Sequence, residues 1–175
     1  MTGAVVRDAT EADTEAIVGL TASGWRVAYT GIVPAERIAD LPIAAWRHDI
    51  SSGLREPVAD SFTRVAEVDG EVAGYCFVAA PGRDEEPDSS VAEVVAIYVD
   101  PARWMKGIGR ALMESVTKIA AEAGYPEMTL WTFERNAQAR AFYARLGWQR
   151  DEERRPHAAT GTPTIRLHHT LEAQE

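Results

Sequence analysis

The stretch V-A-E-V-V-A-I-Y-V-D-P-A-R-W-M-K-G-I-G-R-A-L-M, Val91 to Met113, restricts the fold more than any other part of the chain. Its first nine residues are β-rich and stop at Asp100-Pro101, where proline removes a ladder donor. Ile108, Leu112, Val116, Ile119 and Ala123 then recur at steps of three or four, the spacing of a one-faced helix, and Gly124 follows as a stop signal. A second apolar run, M-T-L-W-T-F, comes next and ends at Phe133. Strand, helix and strand in this order make the two strands parallel neighbours, because a connection of this length crosses over instead of turning back.

The other strand signals are antiparallel. F-T-R-V-A-E-V-D-G-E-V-A-G-Y-C-F-V-A holds two runs around Asp69-Gly70, a strong short-range hairpin signal. Upstream, Thr10 and Asp13 precede apolar Ala16, Ile17 and Leu20, a capping-box variant opening a helix that runs towards Tyr29. Pro34 opens a second short helix, and a third covers Ile43 to Ile50. Pro81 to Ser90 is acidic and proline-broken, a surface loop. N-A-Q-A-R-A-F-Y-A-R-L-G-W is a short helix with Ala139, Phe142 and Leu146 on one face, closed by Gly147. Two weaker strands, Trp148 to Arg155 and Thr164 to Leu171, complete the chain. No repeat or linker interrupts it. Residues 1–175 therefore read as one α/β domain: a mixed, mostly antiparallel sheet of six to seven strands flanked by about four helices.

Composition excludes several function classes. Apolar residues make up 46% of 175, enough for a sizeable core. No apolar run reaches the roughly 18 residues of a membrane span, and Met1 to Arg7 lacks the basic flank and apolar stretch of a secretory leader. The cytoplasm is the expected compartment. A formal charge of −9 argues against nucleic-acid or anionic-membrane partners. It still permits a small basic pocket at Arg103, Lys106 and Arg110, and an acidic surface would suit a cationic second substrate. The lone cysteine, Cys76, lies in A-G-Y-C-F-V-A and reads as a buried small hydrophobe. His48, His157, His168 and His169 show no metal-ligand spacing, so no metal site is expected.

The turn before the 108–123 helix poses a problem of its own. Trp104, Met105 and Lys106 cannot accept from backbone N–H groups as a usual N-cap does. Gly109 inside the first turn costs roughly 1 kcal/mol relative to alanine. A phosphate group held by the open N–H donors, with Lys106 and Arg110 beside it, explains both features. Alternatively, Gly107 caps the helix and Gly109 permits close packing. A dinucleotide fingerprint fails because Leu112 stands where glycine or alanine is needed, and a P-loop fails because Arg110-Ala111 follows Gly109.

Residues 92–113 resemble the acetyl-CoA-binding strand–loop–helix of the GNAT superfamily of N-acetyltransferases. N-A-Q-A-R-A-F-Y-A-R-L-G-W is similar to the same superfamily's following motif, and V-V-R-D-A-T-E-A-D with G-W-R-V-A-Y-T-G-I-V-P resembles the N-terminal part of many bacterial members. The likeness spans nearly the whole chain. One departure is visible: Trp104 stands at the loop's usual Gln or Arg, and Met105 at a frequent glycine.

The resemblance implies acetyl-CoA as co-substrate, with Ile97, Val99, Trp104, Met105, Lys106, Gly107, Ile108, Gly109, Arg110, Asn136 and Tyr143 around it. It implies Tyr143 as the acid facing the sulfur and Glu93, eleven residues before Trp104, as the base. Glu93 is also costly in an otherwise apolar strand unless hydrated or used. By alternation Glu93, Val95, Ile97 and Val99 share a face. Trp25 and Tyr29 fall in the region that shapes the acceptor pocket of relatives. The resemblance implies as acceptor a small-molecule amine or a protein or peptide amine, and a homodimer through the terminal strands fits it. A non-catalytic acyl-CoA-binding sensor or partner module is the alternative to an enzyme.

Overall fold

Asp69 and Gly70 both take positive φ, 54° and 80°, the pairing that joins two right-twisted strands by a tight turn. They link β2 (Phe62–Val68) to β3 (Glu71–Ala79) as read from the sequence. The computed structural model describes residues 3–58, 60–83 and 90–171. Residues 84–89 of the expected acidic loop, and residues 1 and 2, lie outside them.

Around the hairpin are β1 (Val5–Asp8), β4 (Val91–Val99), β5 (Glu127–Phe133), β6 (Gln149–Pro156) and β7 (Pro163–Thr170). The helices are α1 (Thr14–Ala28), α2 (Ala35–Ala39), α3 (Ile43–Arg55), α4 (Ile108–Glu122) and α5 (Ala137–Arg145). The sheet order is β1-β2-β3-β4-β5-β7-β6. Every pairing is antiparallel except β4 with β5, the parallel pair that the crossover demanded.

Two layers of helix cover the sheet. Leu112, Met113 and Val116 of α4 are buried with Cys76, Val78, Val94, Met128 and Leu130 on one face. On the other, Ile17 and Leu20 of α1 pack on Val65 and Tyr75, while Trp25, Val33 and Phe133 form a further cluster with Tyr29 and Trp46 against it. Cys76 is fully buried, as its apolar surroundings implied.

Three elements differ from the sequence reading. β1 was not visible, because a four-residue V-V-R-D run has no period to detect; it becomes a strand by pairing Val5–Asp8 with Glu67–Arg64. The third helix runs one turn beyond Ile50, to Arg55, where Ile50 and Leu54 reach the α1 side of the core. The first helix begins with a 3₁₀ turn, Glu11–Asp13. Of the two terminal strands β7 is interior and β6 forms the edge, so an interface through the terminal strands would use β6. That edge is mostly exposed, rich in charge and irregular in register between Arg150 and Arg154, the features that discourage strand addition.

The Thr10–Asp13 reading is borne out, with a larger role for the acid. Asp13 accepts from the Thr10 N–H at 2.8 Å and takes a bidentate Arg7 guanidinium at 2.9 Å on each oxygen. Arg7 also reaches Glu67 of β2 at 2.9 Å, tying β1, the α1 start and β2 together. This guanidinium holds the buried Asp13 carboxyl below the ordinary carboxylate range. A depressed folded pKa means the contribution is full above the unfolded value near 3.9 and fades as pH falls through the folded one. Asp13→Asn is expected to cost about 1.5–3 kcal/mol at pH 7. Urea unfolding of both proteins should show that difference shrinking below about pH 4.

Candidate active site

β4 stops following its parallel neighbour halfway along. Pairing with β5 covers only Val91↔Glu127 to Val94↔Leu130. β4 continues to Val99 beside β3, and β5 continues to Phe133 beside β7. The break coincides with a bulge: Val78 faces Val94 and Phe77 faces Ala96, leaving Val95 as the extra residue. Past it the two strands part, and a cavity of about 590 Å³ opens between residues 95–99 and 131–133.

The bulge also overturns the expected alternation. Ala92, Val94, Ile97 and Val99 all pack into the α4 core, whereas Ala96 and Tyr98 pack with α1. An extra residue inverts the side-chain phase beyond it, so Glu93 lies on the sheet face opposite Ile97 and Val99. Glu93 is buried, and its carboxylate accepts the Arg83 backbone N–H at 2.8 Å.

The turn before α4 borders the mouth of this cavity. Gly107 stands at the helix N-cap with φ 83°, and no side chain caps the helix. The first backbone bond back to the turn runs from the Ala111 N–H to the Gly107 carbonyl at 3.0 Å. The N–H groups ahead of it have no intrahelical acceptor and carry the positive end of the helix dipole. Gly109 has a packing reason: an added Cβ would lie 3.2 Å from Cζ of Phe142. The two sequence explanations thus apply to different features. Packing accounts for the second glycine, and open donors remain where the cap is missing.

Of the residues expected around the ligand, Ile97, Val99, Trp104, Met105, Gly107, Ile108, Gly109, Arg110, Asn136 and Tyr143 line the cavity. Lys106 does not; it is exposed outside the wall. The Arg103 guanidinium is engaged by Glu71 at 2.5 Å and Asp100 at 3.5 Å, so less of the basic pocket remains than the sequence indicated. Trp104, where the resemblance implied Gln or Arg, donates its indole N–H to the Val99 carbonyl at 2.9 Å.

α5 supplies the other wall. Asn136 caps it, accepting the Ala139 N–H at 3.1 Å. Tyr143 is buried, with ring centroids 5.2 Å from Phe142 and 6.2 Å from Trp148. No hydrogen bond to its hydroxyl is found among the described residues. Burial first, then the neighbouring Tyr29 and Cys76, push the phenol pKa upwards, keeping it protonated. Burial likewise raises the Cys76 thiol, which makes it a poor nucleophile.

A second cavity, about 550 Å³, lies on the α1 and α3 side. Both cavities are lined by Trp25, Arg83, Val95, Ala96, Tyr98 and His157, so they meet at the bulge. Trp25 borders both, while Tyr29 lines the first, its hydroxyl 3.2 Å from that of Tyr98. Sequence reading weighed His157 only as a metal ligand and not as a wall of the site. It enters from the β6–β7 connection, 5.7 Å from Trp25 and 5.2 Å from Phe133, with Nδ1 3.2 Å from the Thr160 hydroxyl. Burial lowers its pKa, favouring neutral imidazole. Only a rule linking the β6–β7 turn to Trp25 could have found it, and no local spacing encodes one. Among the described residues no group of three or more acidic, His or Cys side chains could hold a metal. No helix among them is long and apolar enough to cross a membrane.

A strand pair opened by a bulge, facing an uncapped helix start, defines the class. The sequence model of the Acetyltransferase (GNAT) family matches residues 26–148, and the chain belongs to that family. It is similar to the mycothiol acetyltransferase of Jonesia denitrificans, 30% identical over 126 residues, 70% of this chain and 38% of that protein. It is 36% identical over 90 residues to the one of Amycolatopsis mediterranei, covering 50% of this chain and 30% of the relative. The chain spans less than two thirds of the length of the curated relatives it matches. The fold is that of the paia N-acetyltransferase from Thermoplasma acidophilum solved with coenzyme A, at TM-score 0.76, 18% identity and coverage of 96% of this chain and 99% of that one. A GCN5-related N-acetyltransferase from Kribbella flavida gives 0.74 at 24% identity, over 96% and 98% of the two chains.

Met105 adopts φ 62°, left-handed backbone that costs a non-glycine residue about 1–2 kcal/mol. Met105→Gly relieves that strain against roughly 0.5–1 kcal/mol of added unfolded-chain freedom. Urea unfolding should show it as stable as the parent or up to about 1 kcal/mol more so, and Gly107→Ala about 1–2 kcal/mol less stable.

Proposed function

We propose that the chain transfers the acetyl group of acetyl-CoA to a primary amine by direct attack in a ternary complex. One observation carries the reading: a helix start without a side-chain cap stands at the mouth of a cavity opened by the β4 bulge. The N–H groups of residues 107–110 would take the diphosphate oxygens, because such donors and the helix dipole favour anions. The pantetheine arm would then run between β4 and β5, beside Ile97, Val99 and the Asn136 amide.

Three chemical needs have candidates. A lysine-like amine is only about 0.04% neutral at pH 7, so attack requires a proton acceptor. Glu93 is the candidate base, directly or through one water. As the amine nitrogen bonds to the thioester carbonyl carbon, charge develops on the oxygen; a backbone N–H of residues 97–99, beyond the last pairing with β5, would meet it. The carbon–sulfur bond then breaks, and the departing thiolate takes the phenolic proton of Tyr143. An acyl-enzyme is not part of the scheme, since the buried Cys76 thiol is suppressed. A non-catalytic acyl-CoA module would need the same phosphate site but no proton donor. The Tyr143 hydroxyl, bordering the cavity without a protein partner among the described residues, supports catalysis.

Calorimetry with coenzyme A and thiol release from acetyl-CoA over an amine panel test the proposal together. Binding without release from any amine would favour the module. Tyr143→Phe is expected to lower kcat by about 10²-fold with coenzyme A affinity within twofold. The raised phenol pKa means Tyr143 stays protonated past pH 9. Its loss should scale the pH–rate profile down without changing its shape. Glu93→Gln should lower turnover most at low pH, where the amine is most protonated, and leave coenzyme A affinity intact. Equal rates for parent and variant from pH 6 to 9 would remove Glu93 from the mechanism.

A further inference from the structure

We infer that the acceptor is a small monoamine with an aromatic body, held in the second cavity with its nitrogen at the β4 bulge; this rests on the acetyltransferase reading above. The cavity meets the first one only where the two share walls at Trp25, Arg83, Val95, Ala96, Tyr98 and His157. A molecule filling it therefore presents one end to the place where the thioester would lie.

The walls select the body. Trp25, Trp46, Tyr75, Phe77 and Tyr98 line the cavity with rings, and Ile50 of α3 adds an aliphatic side. Trp25 and Trp46 are tilted at 5.8 Å, and Tyr75 stacks on Tyr98 at 5.8 Å. Such walls offer edge and face contacts to another ring. The hydroxyls among these rings are paired: those of Thr21 and Tyr75 lie 2.7 Å apart, and those of Tyr29 and Tyr98 3.2 Å. A polyamine or a peptide would set further charges or amides against these rings, whose hydroxyls are already engaged.

Charge at the opening agrees. Among the described lining residues, Arg37 and Arg83 stand against Asp40 and Asp49, all exposed, so those residues set up no net field for a polycation or an acid. A volume near 550 Å³ accommodates a ligand of drug-like size or smaller. A single ammonium near Trp25 and Trp46 is compatible with ring faces before it loses its proton.

The test uses the full chain. Thiol release from acetyl-CoA is compared for 2-phenylethylamine, tryptamine, spermidine and a hexapeptide with a free N-terminus. The aromatic amines should exceed the other two at least tenfold in kcat/KM. Spermidine or the peptide matching them would overturn the inference while sustaining acetyl transfer. Direct binding of 2-phenylethylamine, followed by tryptophan fluorescence with and without coenzyme A, decides the matter even without turnover. Saturable binding weakened at least fivefold by Ile50→Ser, with coenzyme A affinity unchanged, supports the cavity assignment. Absence of saturable binding, or binding indifferent to both Ile50→Ser and Trp46→Ala, overturns it. Failure of coenzyme A to bind would instead strike the acetyltransferase reading.

Discussion

The single extra residue at Val95 governs the working part of this molecule. Without it β4 would run on beside β5, and the sheet would close where the cavity now opens. A bulge is locally unfavourable because it interrupts the ladder, and it persists only where surrounding packing holds it. Here β3 continues past it to Gly74↔Val99, while β5 finds β7 on its other side through Phe133↔Thr164. Each strand keeps one partner as the two diverge.

That divergence joins two sides of the sheet that would otherwise be separate. The phase inversion sends Ile97 and Val99 towards α4 and α5, and Ala96 and Tyr98 towards α1. Two cavities consequently meet at one strand position, one bordered by an uncapped helix start and the other by aromatic walls. In the proposed reaction, two substrates entering from opposite faces would meet there, turning an encounter in solution into an intramolecular arrangement. Tyr143 and Glu93 line the first cavity from different elements, α5 and β4, and both are buried.

Trp104 and Met105 contribute differently to the turn before α4. Trp104 anchors through its indole N–H to the end of β4, a bond that depends on the ring's reach and not on charge. Met105 bears left-handed backbone that glycine would adopt freely, and its side chain is 85% exposed, so it adds little packing in return. Gly107 is fixed by its left-handed backbone and Gly109 by its close contact with Phe142, so geometry defines both glycines.

Much of this was legible in the residues. The Asp69-Gly70 turn, the Thr10–Asp13 cap, the face of α4 and the α5 segment carrying Asn136 and Tyr143 are local signals, set by backbone preferences and periodicity within a few residues. The parallel β4–β5 pair followed from chain connectivity. What the residues could not convey depends on partners far away in sequence. β1 exists through β2, the bulge through β3, and the place of His157 through Trp25 and Phe133. Lys106 and Arg103 read as pocket cations until packing turned one outward and engaged the other with Glu71 and Asp100. Apart from β1, sequence alone determined the element types and their order, because short-range conformational preference is written residue by residue. Only the tertiary structure decided which faces meet, because side-chain phase across a sheet depends on the register between strands.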